Sequence, residues 1–373
     1  MPRDFFLKIN NMKSKNISLS FQLYFRIVQR RGLITVEFLI RKTLLCFSIV
    51  LFLLIEISCK NEAPVYTADD FKRDIASDVS EIKLRNDVEL DSSIAFSKGI
   101  SIDLNGNTLT INGHMELVSA EKAYTARFYN GKIITKKQNV LCDYGILISK
   151  DTNLVLQSVD FSAVGTSGIF ISETASHSSL VVADSTVNAS GAFAITTSSR
   201  NTEGNVSILI EKSVITASDS NNHDNTAILF DINGTMEIDD SVISAERQAV
   251  ILRGGNHIIT NSTLKATGLN KRKTYLDGKW GSGNEVPLAA LVIGNRNPDA
   301  YLYQTEATLT DVSIECPDSN AVGTGYYAIY VWQNNGDGIV YPVEVSGSAR
   351  FADNDKVNIG NMNEAQYSVV KLQ

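Results

Sequence analysis

The chain has 373 residues, with 34 Lys and Arg against 41 Asp and Glu and a formal charge of -7. That balance makes nucleic acid an unsuitable partner. Four cysteines scattered over this length do not read as a disulfide framework.

Residues 1–40 carry Arg3, Lys8, Lys13, Lys15, Arg26, Arg30 and Arg31 without a clear apolar period, and read as a start codon assigned too far upstream. Residues 44–55, LLCFSIVLFLLI, follow Arg41 and Lys42 and are apolar apart from Ser48. This is the layout of a secretory signal, too short for a comfortable membrane span. The run ends in EISCKNE, with Cys59 after Ser58. The pattern resembles a bacterial lipoprotein signal, in which the cysteine is lipidated and becomes the new N-terminus, although Glu56 stands where that family prefers Leu. The Lys-Asn-Glu that follows resembles the surface-export tag of Bacteroides-like lipoproteins. The resemblance implies an outer-membrane or cell-surface lipoprotein that meets the membrane only through its anchor. Secretion, a periplasmic location and a retained N-terminal anchor are the alternatives. The expected organisation is a signal segment over 1–58, a lipidated linker over 59–66 and one domain over 67–373. Loss of 1–58 removes nine positive and three negative charges and takes the formal charge to -13.

The domain opens with TADDFKRDIASD at 67–78, which predicts a short helix capped by Thr67 with Asp70 at its third position. Phe71 and Ile75 lie four apart and share a face. Alternating segments follow at 82–90 and 100–111, and the phrase NGNTL at 105–109 returns as NGKII at 130–134.

From Phe128 onward one phrase recurs: FYNGKIIT at 128, LQSVDFSA at 156, VADSTVNA at 182, IEKSVITA at 210, IDDSVISA at 238, ITNSTLKA at 259 and LTDVSIEC at 309. The copies start 21 to 28 residues apart, except for one interval of 50. Five residues after each start stands a large apolar residue: Ile133, Phe161, Val187, Ile215, Ile243, Leu264 and Ile314. Seven after it stands a small one, from Thr135 to Cys316, so Cys316 reads as a buried thiol. A slip of one residue would turn every inward side chain outward, which fixes the phase. Each copy is followed by a second apolar strand that begins with Gly or Ala, as in GILI at 145–148, GIFI at 168–171, AILF at 227–230 and AIYV at 328–331. The six prolines leave 65–286 free of any, as a stack of interior strands requires. Hairpins would instead call for regular Asn-Gly or Asp-Gly turns.

A unit this short predicts one turn of a solenoid. The expected fold class is all-β, a single-stranded right-handed parallel β-helix solenoid with a short N-terminal capping helix and C-terminal cap strands over 341–373. The ladder, together with IDLNGNTLTI at 102–111, resembles the pectate-lyase-like superfamily over roughly 67–345. Members of that superfamily cleave or bind polysaccharides along an outer groove. The resemblance therefore implies a glycan-binding or adhesin-like lipoprotein without catalysis. The alternatives are a polysaccharide lyase or glycoside hydrolase acting in a lateral groove, and a structural cell-envelope protein.

The catalytic patterns of that superfamily are missing from the sequence. Asp239 and Asp240 are the suggestive acid pair, but Asp240 falls at the polar corner filled elsewhere by Asp184, Lys212, Asn261 and Asp311. Asp219, Asp224 and Asp231 form a weak calcium candidate. The four histidines have no metal-ligand spacing, and no cofactor is expected. The binding candidates are Lys271, Arg272, Lys273, Tyr275, Lys279 and Trp280 in the loop inserted at 267–289, and Tyr326, Tyr330 and Trp332 on the last clear strand. Cationic and flat aromatic side chains on an acidic protein suit an anionic sugar or an acidic protein surface. The partners these imply are a polysaccharide or a host or envelope protein.

Overall fold

The computed structural model describes residues 65–373, apart from 120, 137–143, 199, 202, 219–224, 269–287, 296–303, 318–325, 334–342, 353–358 and 362–369. The segment 1–58 and Cys59 thus lie outside the described residues.

The helix forms over Ala68–Ala76. Asp70 N–H donates to the Thr67 hydroxyl, and Thr67 N–H donates back to the Asp70 carboxylate. This reciprocal cap satisfies two of the donors that a helix start leaves free. Phe71 is fully buried and Ile75 packs beside the core, so one face of the helix is bound down.

Beyond it every strand pairing among the described residues is parallel, and each strand pairs with its counterpart one unit along. Val187 sits between Phe161 and Ile215, and Ile215 pairs on to Ile243, Leu264 and then Ile314. Phe161, Val187, Ile215, Ile243 and Leu264 are all fully buried, and they join the inward residues of the second sheet in one apolar core. Each such side chain contributes about 1.5–3 kcal/mol on burial.

The connectivity corrects the expected fold class. Seventeen strands belong to one hydrogen-bonded sheet and ten to another. Within the first, ten strands form a closed circuit. It runs from Thr152–Val164 through Ser179–Ala183, Val206–Glu211, Gly234–Asp239 and Gly255–Thr260 to Thr305–Glu315. It then returns through Thr263–Ala266, Val242–Ala245, Val214–Ala217 and Thr186–Ala189. The second sheet, from Ile94–Phe96 to Ile359–Asn361, pairs only within itself and stays open. A closed parallel circuit with a separate open sheet thus takes the place of the single open pectate-lyase-like solenoid. The cause is local: Thr152–Val164 and Thr305–Glu315 run unbroken through the corner, so each pairs with two rows at once. The repeat specified which residues face inward, but not that two rows would share a strand.

The corner itself is chemically explicit. Asn130, Ser158, Asp184, Lys212, Asp240, Asn261 and Asp311 all have φ between 46° and 60°. Asn and Asp tolerate this left-handed conformation better than other residues with a Cβ, which is why the polar position of the phrase favours them. Asp240 is therefore a corner residue, as its register indicated. The serine that follows turns inward. Val159 N–H donates to the Ser185 hydroxyl, Ser185 to Ser213, Ser213 to Ser241 and Ser241 to Ser262, each at 3.0 Å. Each of these four hydroxyls donates in turn to a carbonyl two residues back, from 2.5 to 2.7 Å. The serine of the phrase thus satisfies a buried donor that the bend takes out of the backbone ladder.

The small residue opening each second-sheet strand also has a cause. Ala227, Ala249, Ala290 and Ala328 all join the core cluster, and so does the next residue in each case. Their pairings skip the small residue, as at a β-bulge. A Cβ on Gly168 would lie 2.3 Å from the Ala194 carbonyl oxygen. The bulge also breaks the period-two alternation of the last clear strand: Tyr327 meets Tyr330 on the far side of the sheet at 5.1 Å, while Ile329 and Val331 face the core.

At the C-terminal end Val343–Phe351 keeps its place in the ladder, pairing from Thr305↔Val343 to Ile314↔Phe351. The register shifts between Leu309 and Val312, and Gly347, with φ 104°, takes the corner. That shortened corner hid the phrase from the sequence, although the segment continues the ladder.

Candidate functional site

The outward rows of the first sheet are set by the same register that fills the core. In one row Glu81 pairs with Ser101 and Ser101 with Arg127; in the next, Lys83 pairs with Asp103, Asp103 with Tyr129 and Tyr129 with Gln157. Ser101 is small, so a gap opens above it between Glu81 and Arg127, whose backbones stand two strand spacings apart, about 9–10 Å. Ser80, Glu81, Ser101, Arg127, Tyr129, Asn130 and Gln157 line the resulting open pocket of ≈ 450 Å³.

Three polar contacts hold its walls. The Tyr129 hydroxyl donates to Glu81 Oε1 at 2.9 Å, which lays the phenol ring along the pocket. Burial, then this bond to a carboxylate, raise the Tyr129 hydroxyl above its usual pKa, against the opposing pull of the Arg127 cation. Behind it, Lys83 Nζ lies 2.9 Å from Asp103 Oδ2, and Asn105 N–H donates to Asp103 Oδ1 at 2.9 Å. Burial works against the Asp103 charge, but the Lys83 ammonium and the Asn105 N–H outweigh it and hold the carboxyl below its usual range. Lys83 and Asp103 thus neutralise one another. Arg127 is exposed and makes no ion pair among the described residues. The pocket therefore offers one uncommitted cation and one carboxylate on opposite sides of a serine.

The residues singled out by sequence do not converge there. Lys271, Arg272, Lys273, Tyr275, Lys279 and Trp280 lie outside the described residues, as do Asp219 and Asp224. Tyr326 is 9% exposed and belongs to the main core, and Tyr330 is 6% exposed within a smaller apolar cluster with Leu229, Ile251, Ala289 and Val292. Trp332 lies in the strand Tyr326–Gln333, its side chain outside the described residues. Asp231 is buried at the end of the strand Thr226–Phe230. Among the described residues no group of three His, Cys, Asp or Glu side chains is placed to hold a metal ion.

The sequence reading also missed a set of buried charges. Arg247 and Arg253, each 1% exposed, flank the strand Gln248–Leu252. Phe230 pairs with Leu252, so Asp231 and Arg253 follow just past the ends of these two adjacent strands. Both are engaged in interactions within the fold. Buried charges of this kind are stable only when partnered. The pocket residues had a legible signal: writing out the positions one before each inward anchor brings Glu81, Ser101 and Arg127 into line.

By its fold the chain is a parallel β-protein with a polar pocket on an outer face. Comparison with protein-family models, with curated proteins and with solved structures finds no match. The glycan-binding, adhesin-like, lyase, hydrolase and envelope-structural expectations came with the open solenoid, and the closed circuit of the first sheet removes that footing.

Proposed function

We propose that the protein is a binding module for a small carboxylate-bearing molecule, which it takes in the pocket around Arg127. The observation that carries this reading is Arg127 itself, a guanidinium exposed over an open pocket and without an ion-pair partner among the described residues. A planar guanidinium accepts a carboxylate through two parallel hydrogen bonds, and the Tyr129 ring and Gln157 supply a wall and a further polar group. Calorimetric titration with acetate tests it. Wild-type protein binds and Arg127→Ala does not; equal heats from the two proteins would remove the reading.

We further propose that a lipid on Cys59 anchors this module at a membrane surface, a reading supported by the signal-like run at 44–55 that precedes the cysteine. Labelling of the cells with a palmitate analogue marks the wild-type protein and spares Cys59→Ser; label on both proteins, or on neither, counts against the anchor.

A further inference from the structure

Glu81 faces Arg127 across the pocket, and this carries the assignment one step further, resting on the pocket reading above. The Tyr129 hydroxyl occupies Glu81 Oε1, while Oε2 has no partner among the described residues. The two charges are held apart by the register: Ser101 pairs with both residues and stands between them, so they cannot occupy adjacent strands. Neither has another opposite charge to satisfy it, because Lys83 and Asp103 pair with each other at 2.9 Å. Such a site presents a cation and an anion to one ligand from backbones two strand spacings apart.

We infer that the ligand is a small zwitterion, its carboxylate held by Arg127 and its ammonium by Glu81. A simple acid satisfies Arg127 but leaves Glu81 facing an apolar chain end. A simple amine does the reverse. A molecule with both groups engages both walls, with the Ser101 hydroxyl and the Gln157 amide available to its middle. The selectivity is thus electrostatic and falls as salt rises.

Three probes of one length separate the possibilities: 4-aminobutyrate, butyrate and butylamine, titrated calorimetrically into the full-length protein in detergent at low salt. The expected result is that 4-aminobutyrate binds at least tenfold more tightly than either of the others. Glu81→Gln should bring 4-aminobutyrate down to the level of butyrate, with butyrate binding unchanged or tighter. Arg127→Gln should remove both acids. Both side chains are exposed, and matching circular dichroism melts establish that the variants fold. Equal affinity for butyrate and 4-aminobutyrate overturns the zwitterion assignment and leaves the carboxylate site standing. Failure of all three probes to bind overturns both.

Discussion

The Tyr129 hydroxyl reaches Glu81 Oε1 at 2.9 Å across two units of the repeat. Residues 48 apart in sequence are thereby tied at one pocket wall. Removing the hydroxyl in Tyr129→Phe releases the Glu81 carboxylate from its position. Affinity for 4-aminobutyrate should fall about three- to tenfold, while butyrate binding stays as it was. The effect on stability should stay near 1 kcal/mol, the usual net worth of one such bond. Calorimetry with both ligands, beside a urea titration, checks the split.

The buried serines predict a different kind of loss. Ser241 accepts from Ser213 N–H at 3.0 Å and donates to the Asp239 carbonyl at 2.7 Å, so Ser241→Ala strands one buried donor. The cost should be about 1–3 kcal/mol. Amide exchange at Ser213 should accelerate more than exchange at the outer-face Ser244. Ser244→Ala serves as a control and should lie within about 0.5 kcal/mol of wild type.

Lys212 holds φ 47° and Asp240 φ 46° at equivalent corners. A lysine there bears the left-handed penalty without the local hydrogen bonding open to Asn or Asp. Lys212→Asn should therefore stabilise the fold by about 0.5–1 kcal/mol. Asp240→Val, which puts a β-branched residue in the same conformation, should destabilise it by more than about 1 kcal/mol. Denaturant midpoints with unchanged slopes would bear this out.

His257 faces the core between Met236 and Ala307, 2% exposed, edge-on to Phe230 at 4.8 Å. Burial depresses its pKa to about 4, against the opposing bond of Nε2 to the Gly254 carbonyl. The unfolded chain takes up its proton near 6.5, before the folded one does. Stability from the neutral imidazole is therefore complete above pH 6.5 and declines as pH falls toward 4, by about 3 kcal/mol in all. His257→Met, which repeats the neighbouring Met236, should flatten that dependence. Melting curves at pH 7 and pH 4.5 on both proteins measure the difference.

Much of the interior was legible because a strand alternates with period two and the phrase repeats it. Phe161, Val187, Ile215 and Ile243 were placed inward from spacing alone, and Asp240 was recognised as a bend. The Thr67 and Asp70 cap was equally local and appears as expected. Reading failed where the backbone left that period. The bulges at Ala227 and Ala328 turn two successive residues to the core, and the shortened corner at Gly347 shifts the phrase. The aromatic residues offered as binding candidates illustrate the same limit, since Tyr326 and Tyr330 are both buried.

By itself the sequence determined the repeat, the inward row and the chemistry of each corner, because these depend on residues a few positions apart. Tertiary structure decided two things. The first is the closed circuit, because Thr152–Val164 and Thr305–Glu315 each serve two rows, a fact about pairing between distant strands. The second is the pocket, because Glu81, Ser101 and Arg127 become neighbours only when successive units stack at one strand spacing. Outward positions carry no apolar constraint to announce them, and their chemistry emerges only from the company the stack gives them.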